Sequence, residues 1–177
     1  MVEKIIIAGA GGQGIMLMGR VLAEAALKEN KHITWLPCYG AEVRGGTAYC
    51  MVIISEAEIG SPYIDEADTL IIMNQPSLEK FKGRLKNNGL LIVNSSLAKI
   101  DAPESSHLLR RPFTETAIKL GNIKTANIVA LGCYITKSKV VAIKTVLGAI
   151  EDLAGEDKKG LVQINHEALK EGIKLVQ

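Results

Sequence analysis

The hydrophobic pattern opens with an apolar run, Lys4-Ile5-Ile6-Ile7-Ala8, that stops at Gly9-Ala10-Gly11-Gly12-Gln13-Gly14. It resumes as Ile15-Met16-Leu17-Met18-Gly19-Arg20-Val21-Leu22-Ala23-Glu24-Ala25-Ala26. A β-branched run broken by glycines and followed by a long apolar stretch predicts a buried strand, a tight turn and a helix. Further strands are predicted over 32–38, 47–55, 69–74, 90–94 and 106–113, with a turn through 56–60. A helix is predicted over 77–86, entered through Pro76 and ended by Asn87-Asn88-Gly89. The last third reads as helices over 114–120, 126–136, 139–153 and 166–175, the last capped by Asn165. Continuous apolar strands alternating with helices imply a doubly wound, mostly parallel α/β sheet with a Rossmann-like first βαβ unit and a helical C-terminal third. Residues 127–135 carry no charge, a pattern that fits either a central core helix or a subunit interface.

The glycine turn carries the candidate chemistry. Glycine permits positive φ and close backbone approach, and the first amides of the following helix lack intrahelical acceptors, so they point at whatever sits above the turn. Gly9, Gly11, Gly12, Gln13 and Gly14 are therefore candidates for binding a phosphate-bearing ligand, and a bulky residue at Gly12 or Gly14 is expected to block its approach. A turn that binds nothing is the competing reading. An NAD enzyme needs an acid at the end of its second strand, about 20 residues past the glycines. Here that region is His32-Ile33-Thr34-Trp35-Leu36-Pro37-Cys38, which has neither an acid nor an arginine.

A second glycine-rich stretch, Tyr39-Gly40-Ala41-Glu42-Val43-Arg44-Gly45-Gly46, sets an acid and an arginine among three glycines. So many glycines are costly to order unless the backbone must approach something. Tyr39, Glu42, Arg44, Gly45 and Gly46 are thus candidates for ligand recognition, with a solvated loop holding an internal ion pair as the alternative.

With 177 residues the chain suits a single domain. A hydrophobic fraction of 47% with 23% charged residues indicates a globular protein, and no apolar run is long enough to span a membrane. The first residues lack the pattern of a secretory signal, and Cys38, Cys50 and Cys133 share no metal-ligand or redox spacing. Reduced thiols in the cytoplasm are expected. The net charge of +2 comes from scattered lysines, so neither nucleic acid nor membrane is an expected partner. His32, His107 and His166 receive no role, and Arg110-Arg111 could meet phosphate or form a solvated turn.

The pairing of the two glycine stretches, followed by Ser61-Pro62, Ala67-Asp68, Met73-Asn74-Gln75-Pro76-Ser77 and Asn127-Ile128-Val129-Ala130-Leu131-Gly132, resembles the gamma subunit of 2-oxoacid:ferredoxin oxidoreductases over nearly the whole chain. With Ala8 ahead of Gly9 and Trp35-Leu36-Pro37 ahead of Tyr39, the chain is most similar to the 2-oxoglutarate type, with the branched-chain and pyruvate types next. The resemblance implies one gamma-type domain over 1–177. It implies a subunit of an enzyme that converts 2-oxoacid, coenzyme A and oxidised ferredoxin to acyl-CoA, carbon dioxide and reduced ferredoxin in anaerobic metabolism. Thiamine diphosphate and iron–sulfur clusters would sit in alpha, beta and, where present, delta partners. This chain would hold coenzyme A beside the thiamine site and be inactive alone. Independently of the resemblance, the apolar surface expected of the uncharged segment 127–135 and the glycine loop predicts a two-fold dimer when the partners are absent. The sequence's rival readings are a stand-alone Rossmann-type NAD(P) or flavin oxidoreductase and a purely architectural subunit.

Overall fold

The computed structural model describes residues 1–39, 46–102, 105, 107–154 and 159–176. Its strands are β1 (Val2–Ala10), β2 (His32–Tyr39), β3 (Thr47–Ser55), β4 (Ala67–Ile72), β5 (Leu85–Asn94) and β6 (Leu108–Arg111). Its helices are α1 (Ile15–Lys28), α2 (Gln75–Phe81), α3 (Phe113–Lys119), α4 (Ala126–Ser138), α5 (Ile143–Ala154) and α6 (Lys159–Lys174). All six strands form one sheet in the order β2-β3-β1-β4-β5-β6. β1, β4, β5 and β6 pair in parallel, whereas β3 runs antiparallel to both β1 and β2. The doubly wound, mostly parallel α/β architecture is thus present, with one difference in its first unit. β2 does not lie beside β1: β3 is inserted between them, paired with β1 from Val2 opposite Ser55 to Ala10 opposite Thr47. A short connection after β2 lets the chain reverse, and an antiparallel return needs no crossover helix.

Side-chain alternation divides the apolar residues between two faces. Ile5, Ile7, Val52 and Ile54 face a thick layer built from α1, α3, α4, α5 and α6, while Ile6, Ala8, Met51 and Ile53 face a thinner layer of α2 and neighbouring loops. Every residue of α4 from Ala126 to Ile135 is buried, which settles the uncharged segment as the core helix of this chain. α4 crosses α6 at paired glycines, Gly132 and Gly172, each packed against the other helix's backbone.

Four local expectations change. Asn87-Asn88-Gly89 does not end a helix: α2 stops at Phe81, a 3-10 turn follows over Lys82–Arg84, and the three residues lie inside β5. There Asn88 takes φ 64° and the β4–β5 register slips between Ala67 and Thr69, so residues that favour left-handed backbone make a bulge. Asn165 is not a cap, because α6 begins at Lys159 and carries it in its interior. α5 starts later than predicted because Lys139, at φ 54°, closes α4. β6 is confined to Leu108–Arg111, since Phe113 already opens α3. Among the described residues no helix is long and apolar enough to cross a membrane.

Candidate functional site

The glycine turn leaves the carboxyl end of β1 and enters α1. Chain connections from β1 and β4 run in opposite directions across the sheet, so the turn lies where an open α/β sheet forms its ligand crevice. Gly12 and Gly14 take positive φ, 88° and 71°. The first bond of α1 runs from the Met18 amide to the Gly14 carbonyl at 3.0 Å, leaving the amides of Ile15, Met16 and Leu17 ahead of it without intrahelical acceptors. No acidic residue occupies the first turn of α1.

The turn's glycines serve two purposes. A Cβ on Gly9 would sit 2.5 Å from Gln13 Oε1 and 2.7 Å from Ile15 Cδ1, and one on Gly14 would sit 2.8 Å from Asn127 Cγ. Those two positions need glycine for internal packing. A Cβ on Gly11 or Gly12 would meet nothing within 4 Å, so these two present bare backbone to open space. Gln13 closes the loop from within: its Oε1 accepts the Ala10 amide at 2.7 Å and its Nε2 donates to the Met73 carbonyl at 3.4 Å. Both ends of its amide are engaged with the protein, which makes it a brace of the turn.

Sequence reasoning missed the polar residues that hold this crevice. Asn127, buried at the start of α4, donates from Nδ2 to the Gly14 carbonyl at 3.0 Å. Asn94, fully buried at the end of β5, donates to the Met73 carbonyl at 3.2 Å and to Thr114 Oγ1 at 2.8 Å. Met73 O thereby joins Gln13 and Asn94, tying the ends of β1, β4 and β5 to the start of α3. The signal was present as an asparagine ending an apolar strand and another opening an uncharged helix, because a buried amide requires partners. Over the turn opens a cleft of about 150 Å³ lined by Gly12, Gln13, Leu97, Thr114, Ile123 and Lys124. That volume has room for a small group rather than a whole nucleotide.

The second glycine stretch is rooted on the same edge. Tyr39, 74% exposed, pairs with Ala48, which pairs in turn with Gly9, and Gly46 precedes Thr47 opposite Ala10. Glu42, Arg44 and Gly45 lie outside the described residues. Arg110 donates to the Ile100 carbonyl at 3.2 Å, and Arg111 donates from Nε to the Leu175 carbonyl at 2.6 Å, pinning the C-terminal segment to β6. His32 and His107 are exposed, and His166 lies 3.4 Å from a Glu151 oxygen, none of them in the cleft. Burial pushes the Cys50 and Cys133 thiols up to about 12, which suits core packing rather than reactivity.

An open α/β sheet with a glycine turn at its switch point and unpaired helix amides behind it is the arrangement in which α/β domains receive anionic ligands. Residues 4–175 match the pyruvate ferredoxin/flavodoxin oxidoreductase family, and the chain belongs to that family. It is 40% identical over 129 residues to ketoisovalerate oxidoreductase subunit VorA of Methanothermobacter marburgensis, a match covering 73% of this chain but 27% of that longer protein. It is 34% identical over 181 residues to 2-oxoglutarate synthase subunit KorC of Methanocaldococcus jannaschii, covering 97% of this chain and 96% of the relative. Among solved structures, the gamma subunit of a keto/oxoacid ferredoxin oxidoreductase from Geobacter sulfurreducens superposes with a TM-score of 0.84 at 30% identity, covering 98% of both chains. The 2-oxoglutarate:ferredoxin oxidoreductase from Magnetococcus marinus, with 2-oxoglutarate, coenzyme A and succinyl-CoA bound, shares the fold at a TM-score of 0.87 and 22% identity, over 99% of this chain and 31% of that one.

Proposed function

We propose that this chain is the gamma subunit of a cytoplasmic, multi-subunit 2-oxoacid:ferredoxin oxidoreductase and that its single domain holds the phosphates of coenzyme A on the glycine turn. The observation that carries this reading is the open backbone at Gly11 and Gly12 in front of the unpaired amides of α1. Coenzyme A supplies the thiol that receives the acyl group. The backbone of Gly11 and Gly12 would approach its diphosphate, and the α1 amides would donate to it. Gln13 and Asn127 would keep the turn in register, and Tyr39, Glu42, Arg44, Gly45 and Gly46 would line the side of the site nearest the partners. Thiamine diphosphate, the iron–sulfur clusters and the contact with ferredoxin are assigned to the alpha, beta and, where present, delta subunits. The bound coenzyme A in the Magnetococcus enzyme supports the ligand. The likeness to KorC along both chains supports 2-oxoglutarate as the acid, whereas the likeness to VorA is higher over a shorter stretch.

The stand-alone NAD(P) or flavin reading is disfavoured by geometry as well as by family. Because β3 separates β1 from β2, the end of β2 stands two strand spacings, about 10 Å, from β1. An acid there could not serve a ribose held over the turn. Expressed alone, the chain is expected to leave 2-oxoacids unoxidised and to form a two-fold dimer. α4 is buried within the chain and so does not supply that contact, and light scattering checks the oligomeric state. The deciding measurement is calorimetric titration of coenzyme A into the chain and into the complex with its partners. Binding that disappears in Gly11→Val while the variant remains folded supports the site, and unchanged affinity in that variant refutes it.

A further inference from the structure

Phosphate held by backbone amides alone leaves most of its charge uncompensated, and the cleft over the turn has a cation in its wall. Lys124 sits in the 3-10 turn Ile123–Thr125 that leads into α4. Its backbone is fixed from both sides: its amide donates to Asn122 Oδ1 at 3.0 Å, and the next residue, Thr125, donates its hydroxyl to the Asn122 carbonyl at 2.8 Å. Its side chain is exposed, and no acid among the described residues pairs with it. Among the described residues lining the cleft none is acidic and Lys124 is the one cation, so on this side the cleft combines the amide-bearing end of α1 with a lysine. Leu97 and Ile123, 46% and 56% exposed, form apolar rims at the same mouth, which suits a ligand that is anionic at one point and apolar next to it.

We infer that Lys124 is a phosphate-binding residue of this cleft, its ammonium meeting the diphosphate oxygens that the glycine turn holds from the other side. The assignment rests on the reading of the turn as a coenzyme A site and adds the charge that the turn lacks. Lysine suits the position because its compact charge on a flexible stem follows a phosphate without demanding the planar geometry of arginine.

The test is calorimetry on the purified chain and on its complex with the partner subunits, using coenzyme A, inorganic pyrophosphate and pantetheine, which has no phosphate. Lys124→Ala should weaken coenzyme A and pyrophosphate about tenfold, as loss of a charge-assisted contact does. Lys124→Glu should weaken both further, Lys124→Arg should restore most of the affinity, and pantetheine should be indifferent to all three. Melting temperatures should not move, because the side chain is exposed. Loss of binding in Gly11→Val together with full affinity in Lys124→Glu would overturn the role of Lys124 and leave the turn standing. Absence of coenzyme A and pyrophosphate binding in both wild-type preparations would overturn the role of the turn and of Lys124 together.

Discussion

Two pairs of glycines in this chain have opposite surroundings. Gly11 and Gly12 face empty space, whereas Gly132 and Gly172 sit where α4 and α6 touch, with the Leu169 and Val129 carbonyl oxygens of the facing helix in the volume a Cβ would take. At the crossing, glycine exists so that two pieces of the same chain can approach. At the turn, no described part of the chain fills the space glycine leaves. An open glycine backbone at a crevice is costly to order, since glycine surrenders more conformational freedom on folding than any other residue, so its retention there is better explained by an outside ligand than by folding. Gly9 and Gly14 belong with the crossing in this respect, because their missing side chains are replaced by Gln13, Ile15 and Asn127.

The largest effect is expected at the crossing. In Gly172→Ala the new methyl meets the Val129 carbonyl group and lies 3.0 Å from the Cys133 amide nitrogen, and backbone cannot yield as a side-chain tip can. Overpacking of this kind should cost about 3 kcal/mol and lower the melting temperature by roughly 6–12 °C, despite alanine's better helix propensity. Calorimetric melting of the variant checks it, and a wild-type melting temperature would remove the structural half of the contrast.

Gly14→Ala should come next, at about 2 kcal/mol, combining the strain of positive φ with displacement of the Asn127 amide. Asn127→Ala offers a sharper version, since it opens the space but strands the Gly14 carbonyl. If Gly14→Ala in an Asn127→Ala background costs as much as it does alone, φ dominates. A smaller cost in that background shows that the asparagine dominates. Urea unfolding of the four proteins distinguishes these outcomes.

How much of this was legible beforehand depended on distance along the chain. The strand, turn and helix around Gly9–Gly14 are a local pattern in which apolar period and glycine spacing point the same way, and Pro76 announced α2 in the same fashion, whereas the cap was missed: Asn74, expected at the end of a strand, accepts the Ser77 amide at 3.1 Å. Strand order was not legible, because nothing in the composition of Thr47–Ser55 says that it pairs with Val2–Ala10 rather than lying outside β2. Nor was the glycine crossing, where partners are far apart in sequence and each glycine alone reads as a weak helix position. The crevice was half visible: its glycines were found, while Asn94, Thr114, Asn127 and Lys124 emerge from three separate segments that only the folded sheet brings together.

α4 also reaches the opposite end of the central strands, where a pH measurement sharpens the contrast between the two ends. Its Tyr134 donates to Glu3 Oε1 at 3.3 Å, and Thr69 donates to the same oxygen at 2.7 Å. Burial pushes the Glu3 carboxyl up, with Asp68 adding to the rise, and outweighs the hydrogen bonds and Lys86, which favour the charged form. A raised native pKa means that the folded protein binds this proton more tightly than the unfolded chain. The penalty of ionising Glu3 is therefore absent below the ordinary value of 4.5 and grows as pH rises through the folded pKa. Wild-type stability measured against Glu3→Gln should accordingly fall between pH 4 and pH 7, with no matching change in coenzyme A affinity at the far end of the strands. A difference that rises with pH would reverse the sign and the account of this end of the sheet.

The smallest stability effect, and the most informative, belongs to Gly11→Val. The position has ordinary backbone and no neighbour within 4 Å of a Cβ, so the folded state has nothing to lose. The unfolded chain, meanwhile, loses part of its glycine freedom. Unfolding free energy should stay within about 0.5 kcal/mol of wild type. The same side chain would project from the stretch of backbone that a diphosphate has to approach, and affinity for coenzyme A should fall at least tenfold. Stability and binding must therefore separate at Gly11 and change together at Gly14, where the scaffold itself is disturbed. If Gly11→Val lowers stability as much as Gly14→Ala does, the space above the turn is occupied by the chain after all, and the two pairs of glycines serve one purpose.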